Sequence, residues 1–218
     1  KDKFKERFFA GIPNVPKAKK ESMSIYLMFI QHIMYSLNDT GKAAIVVPTG
    51  FITAQSGIEK KIREKLINNG WLKGVVSMPS NIFASTGTNV SVLILDKLAD
   101  NEHIVLMDAS KLGETVKEGK NQRTVLTAEE ENKIIETFNK KEAVEDLSVV
   151  VSKDEIAAKN YSFSAGQYFE VKIEYIDITA EEFAEKMNGF EINLTDMFAE
   201  SAELEKKIQE NLKKLRYE

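Results

Sequence analysis

Three short apolar runs constrain this chain more than anything else in it: KAAIVVP at 42–48, WLKGVVSM at 71–78 and NVSVLIL at 89–95. Residues 43–47 are continuously apolar, β-branched toward the end, and show no polar alternation. That pattern predicts a parallel strand covered on both faces. Between the first two runs lies GIEKKIREKLINN, an amphipathic helix over 57–69 with Ile58, Ile62, Leu66 and Ile67 turned inward and Gly70 as its stop. A fourth run, HIVLM at 103–107, follows the third closely. Strand, helix, strand, then two strands in succession indicate an α/β sheet whose last pair forms an antiparallel hairpin.

The flanking segments have their own signals. Residues 1–20 read as irregular, punctuated by Gly11, Pro13 and Pro16. Residues 22–38 form a helix that is apolar nearly all round, hence a buried one, with Ser22 or Ser24 as cap. Residues 113–124 are rich in Gly and Lys and read as a loop. Thr127 with Glu130 makes a capping box for a helix that turns Ile134, Ile135 and Phe138 inward. A short strand at 147–151, a capped helical turn at 152–158 and an extended aromatic stretch at 161–169 complete a first domain, 1–170. The remainder, 171–218, reads as a helical tail. Its first helix ends at Gly189, and a longer one over 194–215 carries Leu204, Ile208, Leu212 and Leu215 as a narrow stripe suited to a helical hairpin or coiled coil.

Composition removes several classes of chemistry. At 43% hydrophobic and 29% charged, 218 residues can bury a sizeable core. There is no Cys, which excludes a disulfide scaffold, thiol catalysis and Cys-liganded metal. The two His, His32 and His103, are far apart, and His32 inside an apolar helix reads as a satisfied, partly buried residue. No stretch approaches 18 apolar residues, so no membrane span is expected. The charged start has no secretory signal, and a cytoplasmic protein is the expectation. The first residue is Lys, which suits a chain that begins partway through a larger protein.

The net charge of −4 argues against a general nucleic-acid binder, but it is unevenly spread. Residues 1–20 carry seven Lys/Arg against two acids. Such an end is either a solvated surface or a phosphate-facing patch. No glycine-rich phosphate loop and no nucleophile elbow occurs. The suggestive feature is PSNIFASTGT at 79–88, a small polar loop just past the carboxyl end of the second strand, where open α/β sheets place functional loops. Phe83 on that loop either folds back beneath it or stacks on a planar ligand such as a base.

The ordered set F-x-Q-H at 29–32, AAIVVP-x-G at 43–50 and P-S-N-I-F-x-x-T-G-T at 79–88 resembles the modification subunit of type I restriction–modification systems, the N6-adenine DNA methyltransferases. Similarity runs in order over roughly 7–170, through NVSVLILDK, HIVLMDASKLGE and NYSFSAGQYF. The resemblance implies the C-terminal half of a Rossmann-like S-adenosylmethionine-dependent methyltransferase sheet: later parallel strands, a terminal antiparallel hairpin, then the helical tail. The family's glycine-rich cofactor motif and catalytic Asn-Pro-Pro-Phe motif lie upstream of the matching region, and no Asn-Pro-Pro occurs in this sequence. The resemblance therefore assigns no catalytic, metal or cofactor-binding residue here, and expects S-adenosyl-L-methionine to bind the full-length parent but not this segment.

It assigns Phe83 to contact with the target base and Lys17, Lys19 and Lys20 to the DNA backbone. The implied partners are double-stranded DNA, a specificity subunit docked on the tail, a restriction subunit and a second modification subunit. The implied mechanism is base flipping followed by direct methyl transfer. Two other readings compete with it: a non-catalytic module that joins a specificity subunit and clamps DNA, and an unrelated doubly wound nucleotide-binding domain, which the missing glycine fingerprint disfavours.

Overall fold

The computed structural model describes residues 4–14, 23–83, 87–98, 101–119, 121–170 and 178–214. The chain divides into two compact units, Lys1–Glu170 and Val171–Glu218. In the first unit the elements run α1 (Tyr26–Ser36), β1 (Lys42–Pro48), α2 (Thr49–Thr53), α3 (Gly57–Asn68), β2 (Leu72–Ser77), β3 (Val90–Asp96), β4 (His103–Asp108), β5 (Glu114–Glu118), β6 (Asn121–Val125), α4 (Ala128–Lys140), β7 (Ser148–Ser152) and α5 (Lys153–Ala158).

Five strands form one mixed sheet in the order β1-β3-β2-β4-β7. β3 runs antiparallel to both β1 and β2, β2 and β4 are parallel, and β7 closes the sheet antiparallel to β4. β1, β2 and β4 thus point the same way. The expected hairpin between 89–95 and 103–107 does not form. β3 instead slots between β1 and β2, and β4 lies beyond β2. The sheet still has the expected class, with parallel and antiparallel pairs and helices on its faces.

Each face has its own core. On one, α1, α3 and α5 cover Ile45, Val47, Val75, Leu93, Leu95, Ile104 and Leu106. On the other, α4 covers Val76, Val105 and Met107 through Phe138. Gly74 is required for that second contact. A Cβ there would stand 2.5 Å from the Phe138 ring and from the Val105 carbonyl oxygen. The capping boxes at Thr127–Glu130 and Ser152–Glu155 are both closed, which starts α4 and α5 where the sequence places them.

Several local expectations change. Ile135, expected to face inward from α4, is exposed. β1 is a terminal strand of the sheet, and its burial alternates: Ile45 and Val47 are buried while Ala44 and Val46 are exposed. Among the described residues the continuous apolar run is covered on one face only, because α4 reaches β2 and β4 but not β1. α1 is shorter than 22–38 and is buried along Leu27, Ile30, Gln31 and Met34. Phe29 and Tyr35 are exposed, and so is His32, whose ring meets the Ser36 hydroxyl at 3.3 Å. Residues 113–124, read as a loop, form the antiparallel β5–β6 hairpin, a separate two-stranded sheet.

The second unit is α6 (Ala180–Lys214), a single helix that passes through Gly189. An internal glycine costs a helix only about 1 kcal/mol relative to Ala, so it weakens this one without ending it. Phe183, Met187, Phe190, Leu194, Met197, Leu204 and Ile208 are all at least half exposed. Their spacing of 4, 3, 4, 3, 7 and 4 is a heptad seam, interrupted at the polar Ser201.

Candidate functional site

Since β1, β2 and β4 run in one direction, their carboxyl ends deliver three segments to the same edge of the sheet. β1 turns at Pro48 into the short helix α2. β2 opens into the loop that carries Phe83. β4 leads through Asp108 to the β5–β6 hairpin.

Backbone bonds join these segments. The Thr49 N–H donates to the Asn89 carbonyl (3.1 Å), and the Met78 N–H to the Val90 carbonyl (2.9 Å). The loop's two arms are thereby held against β1 and β3. Asn81 takes a left-handed conformation (φ 55°), which Asn tolerates better than most residues. Its carbonyl accepts the Thr124 N–H at 2.9 Å, tying the hairpin to the loop two residues from Phe83. Beneath this edge the Ser77 and Ser91 hydroxyls lie 3.2 Å apart. The Thr49 hydroxyl is buried with no hydrogen-bond partner among the described residues.

Phe83 is 48% exposed. It is not folded beneath its loop into either core, so about half of a large apolar ring faces outward on a small, polar loop. Lys17, Lys19 and Lys20 lie outside the described residues.

Arg63 is a structural residue of α3. It stands three before Leu66 and four before Ile67, on the inward stripe of α3, and is completely buried. Its guanidinium donates to the carbonyls of Phe51, Ala54 and Tyr161, the last at 2.6 Å, and lies 5.8 Å from the ring centres of Phe51 and Phe163. Burial pulls its pKa down to about 10, which still leaves it charged at neutral pH. It pins α2, and with it the end of β1, to the 161–163 segment. Gln31 of the F-x-Q-H word is likewise buried. Its amide accepts the Ala10 N–H and donates to the Gly11 and Leu27 carbonyls, fixing the 4–14 segment on α1.

Chemistry of the metal-binding kind is not assembled: among the described residues no three His, Cys, Asp or Glu come together.

The whole of this first unit matches one family profile, N-6 DNA methylase, over residues 1–176. The chain belongs to the N-6 DNA methylase family. It is 31% identical over 179 residues to the type I restriction enzyme MpnII methylase subunit of Mycoplasma pneumoniae, covering 78% of this chain and 32% of that protein. It is 27% identical over 199 residues to the HindI methylase subunit of Haemophilus influenzae, covering 87% of this chain and 43% of that one. Among solved structures, the methyltransferase subunit of a type I restriction–modification system from Streptococcus thermophilus superposes with a TM-score of 0.64 at 28% identity, over 78% of this chain and 35% of that one. The chain thus spans roughly a third to two fifths of the length of these relatives.

The sheet of this N-6 methylase chain is the α/β sheet of the S-adenosylmethionine-dependent methyltransferases. The described residues do not fit the cofactor itself. The turn after β1 is Pro48-Thr49-Gly50, not a glycine-rich cradle, and β2 runs into Met78-Pro79-Ser80 with no carboxylate to take ribose hydroxyls. No chemical step is therefore assigned to the cofactor through these residues.

Proposed function

We propose that this chain is part of a site-specific DNA adenine-N6 methyltransferase, the modification subunit of a type I restriction–modification system, and that its share of the work is to receive the target base. The observation that supports this is Phe83, a half-exposed aromatic ring on a polar loop at the sheet edge where β1, β2 and β4 end.

An adenine inside a duplex cannot present N6 to a methyl donor, so it must leave the stack. Leaving costs a few kcal/mol, and stacking on an aromatic side chain returns roughly 1–3 kcal/mol per base. In this reading Phe83 supplies that stacking surface. S-adenosyl-L-methionine, which supplies the methyl group, and the groups that hold N6 belong to the parent outside the residues described. The segment alone is then inactive. Lys17, Lys19 and Lys20 contact the phosphate backbone, and double-stranded DNA in the cytoplasm is the substrate. No helix among the described residues is long and apolar enough to cross a membrane.

A second role is favoured by α6. Its exposed heptad seam suits a helical partner, and we assign that partner to the specificity subunit, within a complex that also holds a second modification subunit and a restriction subunit. If the chain served only in assembly, Phe83 would be idle.

Phe83→Ala in the full-length parent separates these readings. Loss of a stacking interaction lowers methylation about 5- to 150-fold, with the melting temperature nearly unchanged because the ring is half exposed. A variant that melts early yet methylates normally while folded would refute the base-receiving role.

A further inference from the structure

The β5–β6 hairpin has no part in the core of the sheet. It is a two-stranded sheet of its own, paired from Glu114↔Val125 to Glu118↔Asn121. Thr115, Val116, Lys117, Gln122 and Arg123 are all exposed, and Thr124 is buried. A hairpin of this length is marginal in water by itself, and one that buries so little adds little to the stability of the sheet. Its packing is concentrated instead at its foot, where it meets the loop that carries Phe83.

That meeting has three fixed points. The Thr124 N–H donates to the Asn81 carbonyl at 2.9 Å. Gly113, with φ 83°, approaches so closely that a Cβ there would stand 2.8 Å from the Thr124 methyl. The Gly113 N–H donates to the Glu130 carboxylate at 2.9 Å, and Glu130 is bound into the capping box that starts α4. α4 in turn packs on the sheet through Phe138. A continuous path therefore runs from the sheet through α4, Glu130 and the hairpin foot to the backbone of Asn81, two residues before Phe83.

The loop has a use for such a path. Its ten residues, 79–88, are held at their two arms by the Met78–Val90 and Thr49–Asn89 bonds. Fixing the ends of a loop leaves its interior free to move, and a ring that must lie flat on a base gives up that freedom on binding. A bond at Asn81 removes the freedom beforehand, during folding. Asn81 itself is held in the left-handed region at φ 55°, a conformation that persists where its surroundings impose it.

We infer that the β5–β6 hairpin is a brace for the base-receiving loop, with Thr124 as a positioning residue that acts through Phe83 and with Gly113 and Glu130 as its anchor. This rests on the reading of Phe83 as the base-receiving residue. It goes further by naming what holds that ring ready for its base.

The test uses the intact parent methyltransferase with its specificity subunit and an unmethylated duplex that it methylates. The Thr124 N–H is given to Asn81, so Thr115 and Thr124 face each other as a pair that exchanges no hydrogen bonds. Thr124→Pro therefore deletes the Asn81 bond and spares the ladder. It lowers methylation on the order of ten-fold, and by no more than Phe83→Ala does, because both act through one ring. The melting temperature stays close to that of the parent. With both substitutions the rate equals that of Phe83→Ala alone, whereas independent roles would multiply the two losses. A fluorescent adenine analogue at the target position reports the same loss of stacking in each single variant. Thr115→Pro, which places the same ring on the opposite strand and keeps the Asn81 bond, methylates like the parent. Losses that multiply overturn the inference, as does a loss that Thr115→Pro shares. If Phe83→Ala lowers methylation while Thr124→Pro does not, the brace fails alone. If Phe83→Ala leaves methylation intact, the base-receiving role fails and the brace with it.

Discussion

Replacing Arg63 with Met removes three donors while keeping most of the side chain's length. The Phe51 carbonyl is in a buried bond, and those of Ala54 and Tyr161 are in partly buried ones. An acceptor left unpaired out of water costs about 1–3 kcal/mol, and less where water can reach it, so the three together lose about 3–5 kcal/mol. Against this stands the relief of no longer burying a charge, the same burial that pulls the Arg63 pKa down to about 10. The net loss is about 2–4 kcal/mol. For a unit of this size each kcal/mol moves the melting temperature roughly 2–4 °C, which gives a drop of about 5–15 °C. Thermal unfolding followed by circular dichroism reads it directly. Arg63→Lys keeps the charge but offers a compact head in place of the planar fork, and falls between Met and the parent. A Met variant that melts at or above the parent temperature would mean that desolvation outweighs the three bonds, and the role given to Arg63 in fastening α2 would be wrong.

Two further outcomes follow from the same structure. The Glu130 carboxylate is held below its ordinary pKa by the Gly113 N–H first and the Thr127 N–H second; its stabilising effect is present above the unfolded carboxylate value and is lost as pH falls through the depressed one, so the melting gap between the parent and Glu130→Gln closes as pH falls below the ordinary carboxylate range, and a gap independent of pH would refute it. Among the described residues β1 leaves one edge unpaired with Val46 49% exposed, so the isolated chain self-associates by light scattering and Val46→Lys suppresses this without lowering the melting temperature; a monodisperse parent chain would count against an open edge.

Much of the fold was legible where the signal is local. The apolar runs became β1 to β4, and Ser or Thr followed three residues on by Glu became closed capping boxes, because a cap needs only its own turn. Pairing was not legible. β3 sits between β1 and β2 through contacts that no window of sequence contains, and the apolar pattern of β1 gives no hint that Ala44 and Val46 lie on the α4 side of the sheet beyond the reach of that helix. The β5–β6 hairpin was hidden by its composition, since Glu, Lys, Asn and Gln are poor strand formers. Gly189 misled because glycine marks helix ends, yet here it sits inside α6. Arg63 could have been found: a charged residue in register with Ile62, Leu66 and Ile67 is either a flaw in the stripe or a buried hub. Of the site, Phe83 stood out as an aromatic on a polar loop, whereas the loop's link to the hairpin through Asn81 is a backbone bond that side-chain identity does not announce.

The seam along α6 makes the fate of each copy depend on company. Its 35 residues extend about 52 Å at roughly 1.5 Å per residue, and most helical stability in proteins comes from packing an apolar face rather than from propensity. A copy with no helix laid against that face keeps Phe190, Met197 and Ile208 in water and frays into cleavable chain. A copy with one hides both the apolar surface and the backbone. On the reading that α6 docks a helical partner, proteolysis would act as a gauge of stoichiometry, clearing subunits synthesised in excess and sparing those already matched.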